Sequence, residues 1–151
     1  MTVGELMSQY IVRVSYDESA FRAAELMRRN KIGVLPVVRG NSIVGVITDR
    51  DIVTRCIALG KKPIETSVDR IMTQPAISIE TVAPVTEAAA LMARHQIKRV
   101  PVTRNGALVG MVSLCDLPRA MPSELVAGAY RDIFTCGPSD AKQTFLDTLF
   151  S

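Results

Sequence analysis

Sliding the chain along itself by 65 positions lays residues 3–52 on residues 68–117 without a gap, and 15 of the 50 pairs are identical. Ordinary residue frequencies would give about three. Identical pairs include Met7/Met72, Gln9/Gln74, Ala23/Ala88, Leu26/Leu91, Met27/Met92, Pro36/Pro101, Val37/Val102, Gly45/Gly110 and Asp51/Asp116. Two copies of so long a period are too few for a solenoid. They predict two similar units packed about a pseudo-twofold axis. The boundaries expected are 1–60 for the first unit, 61–67 for a linker containing Pro63, 68–121 for the second unit and 122–151 for a tail outside the repeat.

Each copy predicts the order β-α-β-β-α. A short turn (4–8; 69–73) leads to an extended segment (11–14; 76–79). Ala20, Ala23, Ala24 and Met27 then recur at helical spacing over 19–30, and the copy over 84–95 has Pro84, suited to a first turn. Two β-rich runs follow, 34–38 with 43–48 and 99–103 with 108–113. Gly40-Asn41 and Asn105-Gly106 mark hairpins between them. A second helix starts near Asp49 or Leu114 and is expected to run to about residue 59 or 120. A unit of some 60 residues is marginal alone, so one shared core is the expectation.

Charge limits the partners. The net charge is +3, but residues 1–121 carry 16 basic and 11 acidic side chains, a net +5. That is too weak for a duplex-binding surface, which must neutralise many phosphates. It suits a small anion. No apolar run is long enough to span a membrane, and no basic-then-apolar start suggests a secretory signal. Cys56, Cys115 and Cys136 are odd in number and widely spaced. They fit reduced thiols and a cytoplasmic setting.

The chemistry-bearing pattern closes the second hairpin strand in both copies. It reads Gly45-Val46-Ile47-Thr48-Asp49-Arg50-Asp51 and Gly110-Met111-Val112-Ser113-Leu114-Cys115-Asp116. In one reading, Thr48 and Ser113 are helix N-caps and Asp51 and Asp116 complete capping boxes. In the other, a hydroxyl and free amides at a helix start meet a phosphate while the carboxylate accepts from ribose hydroxyls. The two are compatible.

These features together resemble a tandem pair of cystathionine β-synthase (CBS) domains, in particular short stand-alone bacterial CBS-pair proteins. The resemblance rests on the Met-Ser/Thr entries, the Leu-Pro-Val-Val and Val-Pro-Val-Thr strands and both Gly-x-x-[Thr/Ser]-x-x-Asp ends, and it covers residues 1–121. It implies an α+β fold of two β-α-β-β-α units with a helical C-terminal extension, and a flat homodimer. It also implies a regulatory, non-catalytic sensor with no required cofactor, whose ligand is AMP, ADP, ATP, NAD or S-adenosylmethionine held in clefts between units. Such a ligand would favour one relative orientation of the units, to be read by a regulated protein.

Carried over by position, the resemblance assigns one site to Tyr10, Ile11, Val12, Lys98, Arg99, Met111, Ser113 and Asp116. Asp116 would take the ribose, Ser113 ribose or phosphate, Lys98 and Arg99 the phosphates, and residues 10–12 the adenine. The mirror site takes Val46, Thr48, Arg50, Asp51, Ala76, Ile77 and Ser78. There Gly33 and Val34 replace Lys98 and Arg99, with Arg50 or Arg55 left to compensate. The Asp116 site is therefore expected to be the stronger.

The alternative function is a ligand-free interaction module in which Asp51 and Asp116 are only helix caps. An enzyme fits least, since the sequence shows no Ser-His-Asp or Cys-His set, metal cluster or Walker-type loop. The single histidine, His95, needs no more than its place at a helix end, and the repeated methionines serve as core fillers. The tail holds four of the seven aromatics. Leu125, Val126, Ala129, Ile133 and Phe134 predict one amphipathic helix, and Phe145, Leu146, Leu149 and Phe150 a second after a Ser139 cap. Whether the tail covers its own domain or meets a partner stays open at this level.

Overall fold

The computed structural model describes residues 1–135, so the expected second tail helix lies outside the described residues. The first copy runs through helix α1 (Val3–Leu6), strand β1 (Val14–Ser15), α2 (Ala20–Asn30), β2 (Val34–Arg39), β3 (Ser42–Thr48) and α3 (Asp49–Arg55). A 3-10 turn (Val68–Arg70) opens the second copy, followed by β4 (Ile79–Glu80), α4 (Val85–His95), β5 (Arg99–Arg104), β6 (Ala107–Ser113) and a 3-10 helix (Leu114–Arg119). Helix α5 (Ser123–Phe134) follows. The fold is α+β, as the repeat predicts.

The chain divides into two compact units that do not follow the sequence copies. One, called here the first unit, comprises residues 11–77 and 105–108, and the second comprises 1–10, 78–104 and, of the described residues, 109–135. Each copy's entry segment thus belongs with the other copy's helices and strands. In the first unit β1 runs parallel to β2 (Val14 opposite Val37), and β2 is antiparallel to β3. In the second, β4 runs parallel to β5 (Ile79 opposite Val102), which is hydrogen-bonded to β6.

Each unit has its own core, rather than the one shared core expected. Val14, Ala20, Ala23, Leu35, Val37, Ile47, Cys56, Val68 and Ile71 form that of the first unit. Val3, Leu6, Ala88, Met92, Val100, Val102, Val112, Leu117, Ala129 and Ile133 form most of the second. Val68 and Ile71 complete the core of the first unit, Val3 and Leu6 that of the second, and α5 adds a further apolar layer to the second. A buried side chain of this size stabilises by about 1.5–3 kcal/mol.

Local sequence explains the departures in the helices. Ser19 caps α2, its Oγ accepting from Arg22 N at 3.1 Å, whereas Pro84 stands at the N-cap of α4 rather than inside its first turn. α3 stops at Arg55 and continues only as a 3-10 turn, Ile57–Leu59. In the second copy the same stretch is 3-10 throughout. Pro118 lies within it, with no amide to donate and a ring that would crowd the Leu114 carbonyl of an α-helix. The Asn105-Gly106 hairpin takes φ +52° and +82°, the doubly positive pair of a type I′ turn. The extended segments shrink to the two-residue strands β1 and β4, and residues 11, 12, 76, 77 and 78 precede them half-buried.

Candidate functional site

Each Thr/Ser–Asp turn is built beside an entry segment. Ser8 and Met111 exchange two backbone hydrogen bonds (2.8 and 2.9 Å), and Thr73 and Val46 exchange the equivalent two (2.8 and 3.0 Å). The pairs correspond under the 65-residue shift. Gly110 and Gly45 make this approach possible. A Cβ on Gly110 would lie 3.0 Å from the Ser8 carbonyl oxygen and collide with the Met7 sulfur, and one on Gly45 would lie 2.9 Å from the Thr73 carbonyl oxygen. Arginines secure the same segments. Arg55 donates to the carbonyls of Ile71 (3.2 Å) and Met72 (3.0 Å), and Arg119 to that of Leu6 (3.1 Å). Arg55 is thereby a pin for the backbone and not the free cation that would compensate at the first turn.

The two aspartates differ in what remains open to them. Thr48 N donates to Asp51 Oδ2 at 3.0 Å, and Asp51 N donates to Thr48 Oγ1 at 3.0 Å, closing a capping box. Thr73 Oγ1 also donates to the carboxylate (3.2 and 3.3 Å), and Arg55 Nε stands 3.8 Å from Oδ1. Both oxygens are engaged, and the side chain is 10% exposed. Thr73 had a signal in the sequence, as the repeat partner of Ser8 in the Met-Ser/Thr entries.

At Asp116 both local bonds fall on one oxygen. Ser113 N (2.8 Å) and Ser113 Oγ (2.7 Å) donate to Oδ2, leaving Oδ1 with Arg119 at 3.4 Å. The side chain is 24% exposed. A carboxylate oxygen with one long contact retains the capacity to accept from a ligand hydroxyl.

The cations are distributed unequally too. Lys98 O accepts from Leu114 N at 2.8 Å, which ties Lys98 to the residue after Ser113. The equivalent bond in the first unit runs from Asp49 N to Gly33 O at 3.0 Å. There the acidic Asp49 side chain fills the lysine's place, its Oδ2 only 2.9 Å from where a Cβ on Gly33 would stand. The amides of Asp49, Arg50 and Asp51 are all engaged, by Gly33 O, Asp49 Oδ1 and Thr48 Oγ1. The free amides expected for a phosphate are absent at this turn.

The second unit gathers Tyr10, Lys98, Arg99, Met111, Ser113 and Asp116, and with them Ser78. Tyr10, Lys98 and Arg99 are exposed, Met111 and Ser113 half-buried. The first unit holds Ile11, Val12, Val46, Thr48, Arg50, Asp51, Ala76 and Ile77, of which Arg50 is exposed and Asp51 buried. Ile11, Val12 and Ser78 thus belong to the unit opposite the turn with which the resemblance groups them. Helix α5 packs Leu125, Val126, Ala129 and Ile133 onto the core of the second unit, so its described part covers its own domain. Its last turn carries Asp132, which is buried with no hydrogen-bond partner for Oδ2 among the described residues. Burial pushes that carboxyl above the usual range, and neighbouring Arg131 only partly offsets it.

Comparison with known proteins fits this geometry. The CBS domain model matches residues 3–57 and again 68–123. The chain belongs to the CBS domain family. This CBS pair is 37% identical over 129 residues to the uncharacterized protein YlbB of Bacillus subtilis, covering 84% of this chain and 86% of that one. It is 30% identical over 138 residues to Hypoxic response protein 1 of Mycobacterium tuberculosis, covering 91% and 95%. Its fold is similar to the CBS domain pair of protein MJ0100 solved in complex with 5-methylthioadenosine and S-adenosyl-L-methionine. The TM-score is 0.68, with 29% identity over 79% of this chain and 94% of that one. Among the described residues no helix is long and apolar enough to cross a membrane.

Proposed function

We propose that this CBS pair is a non-catalytic regulatory module that binds an adenine nucleotide (AMP, ADP, ATP or NAD) chiefly at the Asp116 turn. In this reading Asp116 Oδ1 accepts from the ribose hydroxyls, Ser113 contacts ribose or phosphate, Lys98 and Arg99 meet the phosphates, and Tyr10 and Met111 flank the base. The observation that carries the reading is the Asp116 carboxylate, whose Oδ1 has a single 3.4 Å contact to Arg119 in a turn held by the Lys98 carbonyl, set against the Asp51 carboxylate, which Thr73 and Arg55 also contact in a turn where Asp49 faces Gly33. The adenosyl ligands of the MJ0100 pair support the ligand class. The Asp51 turn, with Val46, Thr48, Arg50, Ala76 and Ile77, is the weaker site, and there the helix cap together with Thr73 and Arg55 occupies the carboxylate. A cytoplasmic homodimer that signals to a separate regulated protein completes the proposal. The free thiols of Cys56 and Cys115 suit that compartment.

Thermal shift against AMP, ADP, ATP, NAD and S-adenosylmethionine tests it, because a ligand that binds only the native state must raise apparent stability. A rise with at least one nucleotide, lost in Asp116→Ala, is expected. No shift with any of them at millimolar concentration would leave the interaction-module reading in its place.

A further inference from the structure

The connection from α4 to β5 reaches in two directions. Its backbone, through the Lys98 carbonyl, holds the start of the Ser113–Asp116 turn. Its side chains hold the end of α5. Gln96 Nε2 donates to Thr135 O at 2.9 Å, and the Lys98 ammonium rests over the Phe134 ring, 4.8 Å from its centroid. Lys98 therefore spends its charge on α5, while the cation beside Asp116 is Arg119. Phe134 is 54% exposed. Its ring neighbour is Tyr130, with centroids 6.1 Å apart, so the core does not fix it. The same turn buries the Asp132 oxygen, unpartnered among the described residues, a polar group whose desolvation opposes docking. Ile133 anchors this turn in the core, whereas Phe134 and Thr135 beyond it are held by the surface contacts with Lys98 and Gln96. In the first copy Gly33 stands at the Lys98 position.

We infer that Phe134 competes with the ligand phosphate for Lys98, so that the last turn of α5 is an autoinhibitory clasp that phosphate binding loosens. The inference rests on the proposal that Lys98 meets a nucleotide phosphate. A cation over an exposed ring gains modestly, and a phosphate placed near Ser113 draws the ammonium away from the ring. By reciprocity, whatever the ring costs the nucleotide in affinity, the nucleotide costs the clasp. A ligand without phosphate makes no such demand. Phe134 therefore also sets the preference between nucleotide and nucleoside, and the position of α5 reports which is bound.

The test uses the full chain, with AMP and adenosine as probes. Phe134→Leu keeps an apolar side chain at an exposed position and removes the π face. It is expected to tighten AMP binding about two- to fivefold and to leave adenosine unchanged. In the unaltered protein, AMP should speed amide exchange at residues 131–135 and adenosine should not. Without any ligand, Lys98→Gln should speed the same amides. If AMP binds but Phe134→Leu leaves its affinity unchanged or weakens it, the competition is wrong while the nucleotide site stands. If none of AMP, ADP, ATP and NAD binds the unaltered protein, both fall, even where Lys98→Gln still loosens α5; if one of the others binds in place of AMP, the same comparison with adenosine is made with that nucleotide. Unchanged exchange in Lys98→Gln means that there is no clasp.

Discussion

The Asp51 and Asp116 turns share a pattern, a hairpin strand before them and an entry segment pinned beside them, yet they end in different chemical states. Asp51 is surrounded by Thr48, Thr73 and Arg55. Asp116 keeps one oxygen with a single 3.4 Å contact, to Arg119. The residues that separate them are not the aspartates. Asp49 for Leu114 and Gly33 for Lys98 exchange an acid for an apolar residue and remove a cation. A capping box and a ligand carboxylate can be the same residue type at the same position, and the neighbours decide how much of it is left over.

The comparison is broken first at what the two copies should share. Gly45→Ala and Gly110→Ala should each cost about 3 kcal/mol, the upper end for overpacking, since both meet a backbone carbonyl oxygen. Urea unfolding checks this, and a gap above about 1 kcal/mol between them would mean that the copies differ in more than their caps. Next, Asp51→Ala should destabilise by about 2 kcal/mol, and Asp116→Ala by about 1 kcal/mol or less, because Asp51 loses the Thr73 and Arg55 contacts as well as its capping box. The same unfolding curves rank them. Lys98→Gln should weaken AMP about fivefold in a calorimetric titration while leaving adenosine nearly unchanged, the scale of an exposed ion pair.

The smallest expected effect lies at Asp132. Burial raises its folded-state pKa, so the stability tied to its carboxyl is present below the unfolded value of about 4 and lost as pH rises through the folded value. Asp132→Asn should therefore melt higher than the unaltered protein at about pH 7.5, with the gap closing toward about pH 4. A constant gap across that range would show that the effect is not titration of this carboxyl.

Much of this was legible in the sequence because the repeat supplies each observation twice. Ala20, Ala23 and Met27 at helical spacing, the Asn105-Gly106 turn and the paired Thr48/Asp51 and Ser113/Asp116 caps all stand where their local chemistry puts them. The exchange of entry segments was not legible. Val3 and Val68 are apolar in either copy, and nothing local says which core takes them. Nor does periodicity show that Arg55 reaches 16 residues along the chain to the Ile71 carbonyl. The inequality of the sites was readable at Lys98 against Gly33, but the part played by Asp49 and Thr73 needed coordinates, since each acts through a residue distant in sequence.

The central claim is that one turn is a cap and the other a cap with a carboxylate oxygen to spare. Side-by-side calorimetric titration of Asp51→Ala and Asp116→Ala with AMP tests it most directly. Asp116→Ala should lose about ten- to hundredfold in affinity, the range for hydrogen bonds to a charged group, while Asp51→Ala should stay within about twofold of the unaltered protein despite its lower stability. Equal losses from the two substitutions would contradict the account.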